Sequence, residues 1–280
     1  VTLNASIDDY TKLLLHMNGT DEGTTTTDIV NPGRTITFNA DANIENSSSK
    51  FGGTSAEFDG TGDYLSMPNP DDLNFETGDF TVDFWAYRNV YGVPSTFVVR
   101  YRSGDSTGEW YAQIADGGTN LRFETQVTTV WTGFNPPIDD WHHYAFVRNS
   151  GTLKIYFDGV QKASQSLTEN LSESGSLNLG GLIHAYYFNG SIDEFRISKG
   201  ISRWTANFTP PSREYPLLAP AGNYTSQVFD AGGSSTWSSL NWTNASSSGN
   251  NITFQVMSCD DASCSGETWV GPDNTSSTYF

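Results

Sequence analysis

Short runs of alternating apolar and polar residues recur along roughly the first 200 residues, each bounded by glycine, asparagine, aspartate or proline. A period of two places successive side chains on opposite faces of a β-strand, whereas an amphipathic helix needs apolar positions at three-to-four spacing. No window of about twelve residues sustains the helical spacing. The pattern therefore predicts an all-β chain, and the clearest predicted strands are residues 13–17, 55–58, 64–67, 80–88, 96–102, 110–114, 121–126, 142–148 and 153–157.

Glycine-containing pairs between these strands mark tight turns. Asp59-Gly60 and Asp158-Gly159 are pairs that tolerate the positive φ angles of two-residue hairpin turns. Gly62-Asp63 and Asn189-Gly190 have the same chemistry. The polar turns, together with an aromatic content of 14%, favour strands joined by turns and argue against long helices.

A cluster of prolines divides the chain. Pro210, Pro211, Pro216 and Pro220 lie within a short stretch, and proline removes a backbone donor and bars regular strand pairing. We therefore predict a large jelly-roll domain over residues 1–207, a proline-rich linker over 208–221, and a small or incomplete β-sandwich module over 222–280. The last segment is short for an independent sandwich.

The charge balance limits the partners of the chain. There are 32 acidic and 14 basic residues, a formal net charge of −18, and such a surface repels phosphate backbones and anionic lipids. Nucleic acid is therefore not an expected partner. Membrane insertion of this segment is not expected either, because no apolar run reaches the length of about 18 residues that a spanning helix needs.

Two further features indicate an extracellular protein. Cys259 and Cys264 stand five apart in a short polar turn, and we expect one local disulfide because no further Cys or His lies nearby. Asn-x-Ser/Thr sequons are numerous, which favours a secreted surface glycoprotein. The candidate acceptors are Asn4, Asn18, Asn46, Asn170, Asn189, Asn207, Asn223, Asn241, Asn244, Asn251 and Asn274.

Five motifs between about Lys12 and Trp204 resemble the laminin-G-like, concanavalin-type jelly rolls of secreted proteins, adhesins and phage tail proteins. Each is weak alone, but their order and spacing match those of the family. They are LLLHMNG at 13–19, KFGGTSAEFDGTGDYLSMP at 50–68, GDFTVDFWAYR at 78–88, WHHYAFVRNSGTLKIYFDGVQ at 141–161 and GSIDEFRISKGISRW at 190–204.

The resemblance implies structural calcium at a rim site near the pairing of the first and last strands. Asp21 and Asp28 would come from the loop after the first strand and Asp193 from the closing strand, since calcium prefers carboxylate and carbonyl oxygens. Asp59 is a lesser candidate, and its alternative role is a turn residue that bonds its own backbone.

The sequence offers little for catalysis. Concanavalin-type glucanases usually carry their carboxylates as Glu-x-Asp-x-x-Glu on one strand face, and no such triplet occurs. Asp193 and Glu194 are adjacent, so alternation predicts opposite faces for them. The histidines, His16, His142, His143 and His184, are scattered, so we predict that the chain is not an enzyme.

Carbohydrate binding needs aromatic platforms beside planar polar groups. The candidates are Trp85, Tyr87, Arg100, Arg102, Trp110, Tyr111, Trp131 and Tyr187, although several of these could instead serve as core packing. The predicted function is an adhesion or glycan-recognition module of a cell-surface appendage, with glycans or cell-surface ligands as partners. The alternatives are a filament subunit that pairs with identical subunits by strand complementation, and a viral tail-fibre receptor-binding protein.

Overall fold

The computed structural model describes residues 7–68, 70–102, 108–172, 175–181, 186–215 and 268. The chain divides into two compact units, Val1–Leu218 and Ala219–Phe280. The second unit lies outside the described residues except for residue 268. The predicted small sandwich, the predicted disulfide between Cys259 and Cys264, and six of the sequons (Asn4, Asn223, Asn241, Asn244, Asn251 and Asn274) therefore lie outside the description, as does His184.

The described residues form strands joined by turns and one 3₁₀ turn, Asp71–Leu73. The strands are β1 (Thr11–Leu15), β2 (Thr37–Asn39), β3 (Asn43–Glu45), β4 (Ser55–Asp59), β5 (Tyr64–Met67), β6 (Phe80–Arg88), β7 (Ser95–Tyr101), β8 (Gly108–Ala115), β9 (Asn120–Thr125), β10 (Thr129–Trp131), β11 (Trp141–Asn149), β12 (Thr152–Phe157), β13 (Val160–Ser166), β14 (Leu177–Leu179) and β15 (Asn189–Lys199).

Two antiparallel sheets pack face to face as a jelly-roll sandwich. Sheet A has the order β13-β12-β11-β6-β15-β4-β3, with β1 also paired to β15. Sheet B has the order β10-β9-β8-β7-β14-β5-β2. The predicted all-β jelly roll is confirmed, and the predicted strands 64–67 and 80–88 match β5 and β6.

The space between the sheets is filled by aromatic and aliphatic side chains. Phe84 lies at its centre and packs against Phe97 and Tyr144, with ring centroids 5.2 and 5.5 Å apart. Trp110 of sheet B stacks on Phe75 at 5.4 Å. Burial of such rings supplies the main stabilisation of the domain.

The turn at Asp158-Gly159 adopts the predicted hairpin geometry, with φ angles of 48° and 73°. Glycine is also required here for space. A Cβ at position 159 would lie 1.8 Å from the carbonyl oxygen of Phe208, so the turn and the chain after β15 pack directly on each other.

The chain after β15 crosses the outer face of sheet A, and we call residues 200–215 the strap. Trp204 and Phe208 of the strap stack at 4.0 Å with an interplanar angle of 6°. They pack on a second apolar cluster formed by Ala145, Val147 and Tyr156. The first eight residues of the predicted linker, 208–215, therefore belong to the jelly-roll domain, because their aromatic side chains cover apolar surface of sheet A.

The strap also covers a buried ion pair. Arg196 of β15 donates hydrogen bonds to Asp83 of β6 over 3.0 and 3.1 Å. The hydroxyl of Tyr215 donates to the same carboxylate, and its ring centroid lies 3.7 Å from the Arg196 Cζ atom. Thr81 and Asp83, whose side chains point away from the core in β6, are thus buried, because the strap covers them.

A β-bulge in β15 corrects the prediction for Asp193 and Glu194. The register shifts between Asp193 and Arg196, and Glu194 has a left-handed φ of 52°. One extra residue in a strand breaks the simple alternation. Both carboxylates therefore lie on the outer side of sheet A, where Glu194 accepts a hydrogen bond from the backbone N–H of Tyr215 over 2.6 Å.

Candidate functional site

The outer side of sheet B carries an open depression, which we call the trough. Its volume is about 280 Å³. Strands β8 and β9 provide most of its lining, and the chain before β15 provides one aromatic ring. The lining residues are Tyr111, Gln113, Arg122, Glu124, Thr125, Gln126 and Tyr186.

The β8–β9 hairpin sets the trough side chains in register. Gln113 lies opposite Arg122, and Tyr111 lies opposite Glu124. Their neighbours Ala112 and Phe123 face the core, so alternation turns the polar residues outward. The hairpin turn is fixed by N–H groups of Gly118 and Thr119, which both donate to the carbonyl of Ala115.

Three planar polar side chains form a hydrogen-bonded row across the trough. Glu124 Oε2 lies 2.6 Å from Arg122 Nη2 and accepts a 2.8 Å hydrogen bond from Gln113 Nε2. Gln113 is only 4% exposed and forms the floor. The side chains of Arg122 and Glu124 remain 19% and 27% exposed, so this row holds its geometry and still presents polar groups to a ligand.

Exposed aromatic rings flank this polar row. Trp131 of β10 lies opposite Arg122 and is 41% exposed. The Arg122 Cζ atom lies 4.5 Å from the Trp131 ring centroid, which restrains the indole. Tyr186 is 50% exposed at the other side of the trough.

The structure divides the predicted sugar-binding residues among several locations. Tyr111 lines the trough and Trp131 flanks it. Arg102 directly follows β7 and Tyr187 precedes β15, and both are half-buried. None of these four belongs to the apolar core.

The other four predicted sugar-binding residues lie away from the trough. Trp110 and Arg100 are 1% and 0% exposed and belong to the interior, so they are wrong as platforms. Trp85 and Tyr87 lie on sheet A, where Trp85 is covered by Lys50 at 4.0 Å and Tyr87 packs edge-on against Trp141. The sequence reasoning missed Gln113, Arg122, Glu124 and Tyr186, although alternation in β9 marks Arg122 and Glu124 as outward-facing.

The predicted calcium ligands do not assemble. Within the described part of the chain, no group of three or more His, Cys, Asp or Glu side chains is placed to hold a metal ion. Asp28 is buried and paired with Arg34 at 2.8 Å. Asp21 accepts from the backbone N–H of Asn46, and Asp59 accepts from that of Thr61, its own turn. Calcium binding itself stays a prediction, without this set of ligands.

Asp193 has a structural role at the bulge in β15. Its carboxylate accepts hydrogen bonds from the backbone N–H groups of Lys50, Phe51 and Glu194 over 2.8–2.9 Å. Burial, together with the neighbouring Glu194 carboxylate, raises the pKa of Asp193 to about 7 against the lowering effect of these amides. The residue thus ties the loop before β4 to the bulge in β15.

A histidine–glutamate pair lies beside this loop. His16 Nδ1 is 2.5 Å from Glu194 Oε1, and both side chains are almost fully buried. Burial acts to lower the pKa of His16, but the hydrogen bond and charge of Glu194 raise it above its ordinary value. Burial raises the pKa of Glu194 despite hydrogen bonds from His16 and the backbone of Tyr215. The pair anchors the strap.

The described sequons differ in their exposure. Asn18, Asn46, Asn170 and Asn207 are exposed. Asn189 is half-buried and donates its side-chain amide to the carbonyl of Asp59 over 2.6 Å. None of the described helical segments is long and apolar enough to cross a membrane.

Comparison with solved structures finds sandwich domains of the same fold. Domain 4 of AbnA, an extracellular GH43 arabinanase from Geobacillus stearothermophilus solved with arabinotriose, superposes with a TM-score of 0.53 at 20% identity. The match covers 71% of this chain and 95% of that one.

The binding domain of botulinum neurotoxin serotype G gives a TM-score of 0.52 at 14% identity, over 68% of this chain and 48% of that one. The serotype D binding domain gives 0.51 at 17%, over 69% and 49%. The chain thus spans about half the length of these toxin domains.

Sequence comparison identifies the family. No curated protein sequence matches the chain significantly. A laminin-G-type family profile, described as the concanavalin A-like lectin/glucanases superfamily, matches residues 59–203, a little over half of the 280-residue chain. The match covers β5 to β15 and includes all the residues of the trough. The chain belongs to the concanavalin A-like lectin/glucanases superfamily.

Proposed function

We propose that this chain is a non-catalytic carbohydrate-binding protein that holds its ligand in the trough on sheet B. The observation that carries the proposal is the exposed Trp131 indole beside the hydrogen-bonded row of Gln113, Arg122 and Glu124. An exposed ring next to planar polar groups is the surface that a sugar needs, since its C–H face stacks on a ring while its hydroxyls donate and accept hydrogen bonds.

Each group of the trough has a role in this proposal. Trp131 and Tyr186 supply apolar surface for the sugar rings. Glu124 supplies lone pairs that accept from hydroxyls, and the partly exposed Arg122 guanidinium supplies N–H donors. Because Glu124, Arg122 and Gln113 already hold one another, little side-chain entropy is lost when a ligand binds.

Relatives of the same fold support a carbohydrate ligand. The AbnA domain was solved with arabinotriose, and a botulinum neurotoxin DC binding domain with SialylT, at a TM-score of 0.50 and 16% identity. These sequences have diverged far from this chain, so the residues of its own trough carry the proposal.

The carboxylates of the trough are the reason that we propose a non-catalytic function. Glycoside hydrolysis uses two carboxyl groups on either side of the scissile bond. Among the described lining residues, Glu124 is the single carboxylate, and it is paired with Arg122. The nearby Glu169 carboxylate does not complete a catalytic pair, because one of its oxygens is buried and the other accepts from the Thr125 hydroxyl, so the arrangement fits binding better than acid–base chemistry.

We also propose that the protein works outside the cell, as an adhesion or recognition element of a surface appendage. The four exposed sequons and the strongly acidic surface support this setting. The alternative of a filament built by strand complementation depends on residues 222–280, which fall outside the description.

The direct test is a screen of the full chain against an array of neutral and acidic glycans, followed by calorimetric titration of the ligands found. Trp131→Ala should weaken binding at least about tenfold, because stacking on an aromatic ring contributes about 1–3 kcal/mol. Tyr91→Ala is the matched control, since Tyr91 is an aromatic residue that is 50% exposed, against 41% for Trp131, but lies in the β6–β7 loop.

Two results would count against the proposal. One is the absence of any bound glycan on the array. The other is binding that Trp131→Ala leaves unchanged, or that Tyr91→Ala weakens equally, since the ligand would then lie outside the trough. Folding of each variant is checked by circular dichroism.

A further inference from the structure

We propose that the trough selects neutral oligosaccharides of several units, lying across the strands, and disfavours glycans that carry a carboxylate. This inference rests on the proposed function and adds to it the chemical class and minimum length of the ligand. The selection against carboxylates is inferred from the charges around the trough. The minimum length is inferred from the spacing of the strands that carry its aromatic residues.

The cation of the trough is already neutralised. Arg122 is the single Lys or Arg among the described lining residues, and its Nη2 atom lies 2.6 Å from Glu124 Oε2. Its guanidinium also packs on Trp131. A ligand carboxylate would therefore have to compete with Glu124 for this guanidinium, whereas a hydroxyl donates to the Glu124 carboxylate without displacing the ion pair.

A second carboxylate makes the region negative. Glu169 Oε2 accepts a 2.6 Å hydrogen bond from the hydroxyl of Thr125, a lining residue. Glu169 Oε1 is buried and has no hydrogen-bond partner. Two carboxylates thus stand against one guanidinium, in a chain of net charge −18, and like charges at close range repel.

The strands that carry the two aromatic residues are too far apart for one sugar to span. Trp131 lies on β10, and the carbonyl of Tyr186 accepts a 2.8 Å hydrogen bond from the N–H of Thr96 on β7. Three strand spacings separate β10 from β7 in sheet B, which is about 14 Å. A ligand that contacts both rings must run across the strands over several sugar units.

The experiment compares matched neutral and acidic glycans on the full chain. Each neutral oligosaccharide that binds is titrated as a series from one to six units, and beside it the same glycan carrying a sialic or uronic acid. We expect the acidic partner to bind at least about fivefold more weakly. We expect affinity to rise with length up to about three units and then to level off.

Glu124→Gln tests the charge argument directly, because it removes one carboxylate and releases Arg122. We expect this variant to reduce the preference for neutral over acidic glycans, while Glu22→Gln, at an exposed site elsewhere, leaves the preference unchanged. Trp131→Ala is measured alongside to locate the binding.

The outcomes separate the two proposals. Acidic glycans that bind as tightly as neutral ones, with binding still lost in Trp131→Ala, overturn the inference and leave the proposed function standing. A monosaccharide that binds as tightly as the longer chains overturns the length step. Absence of glycan binding, or binding insensitive to Trp131→Ala, overturns the proposed function and this inference together.

Discussion

Replacing Asp83 with asparagine should strongly destabilise the jelly-roll domain. The Asp83 carboxylate is fully buried and accepts two hydrogen bonds from Arg196 and one from Tyr215. Its removal leaves the buried guanidinium of Arg196 without a counter-charge. Breaking a buried ion pair on one side costs about 3–5 kcal/mol of unfolding free energy, which is a large part of the stability of an ordinary domain.

The pH dependence gives a second magnitude for the same buried ion pair. Burial acts to raise the pKa of Asp83, but the charge and hydrogen bonds of Arg196 and the nearby His143 imidazole, whose Nε2 lies 3.5 Å from the carboxylate, lower it to about 2. A lowered pKa in the folded state stabilises the protein above the ordinary value of 3.8, and this stabilisation is lost as pH falls through about 2. The shift corresponds to about 2 kcal/mol, and Asp83→Asn should abolish it.

Urea denaturation of the full chain, followed by near-ultraviolet circular dichroism at pH 7 and at several acidic pH values, measures both quantities. Hydrogen exchange in β6 and the strap assigns the loss to this region. Asp9→Asn is the control, because Asp9 is exposed. A loss below about 1 kcal/mol, or an acid profile identical to that of the unmodified chain, would refute this account of the buried pair.

Three further predictions concern the strap and its anchors. Tyr215→Phe should cost about 1.5–3 kcal/mol of unfolding free energy, measured by urea denaturation, because it removes a hydrogen bond to the Asp83 carboxylate. Trp204→Ala should cost about 2 kcal/mol and speed hydrogen exchange in residues 200–215, because it removes the stack on Phe208. The pKa of Asp193, raised to about 7, means that stability present below about pH 4 is lost as pH rises through about 7. Asp193→Asn should remove that decline from the pH profile, and a variant that keeps it would contradict this assignment.

Much of the fold could be predicted from the sequence because alternation reports directly on a two-sided strand. In β6, Phe80, Val82 and Phe84 face the core as the pattern requires. The short strands β2, β3, β10 and β14 have three residues each, and such runs are too short for a period of two to be recognised.

The strap was missed because proline indicates the end of regular pairing and does not indicate whether the chain leaves the domain. Pro210 and Pro211 mark an irregular segment correctly, yet Trp204, Phe208 and Tyr215 hold that segment on sheet A. The aromatic residues of this segment were the available clue. Exposing a large ring to water is less favourable than exposing a polar side chain, so such rings indicate that the segment packs on the domain.

The candidate site was only partly predictable because a single sequence does not show which aromatic side chains are buried in the core and which are exposed. Trp110 and Trp131 are the same residue type, but Trp110 faces the core and Trp131 faces outward. The bulge at Glu194 could not be predicted from the sequence because it depends on the pairing of β15 with β6. Tertiary context decided both cases.

The most direct test of the central claim is a crystal structure of the chain with the tightest-binding oligosaccharide from the array. We expect a sugar ring stacked on Trp131, with hydroxyls hydrogen-bonded to Glu124 and Arg122. A ligand bound on sheet A, at the rim of the sandwich or on the unit formed by Ala219–Phe280 would contradict it.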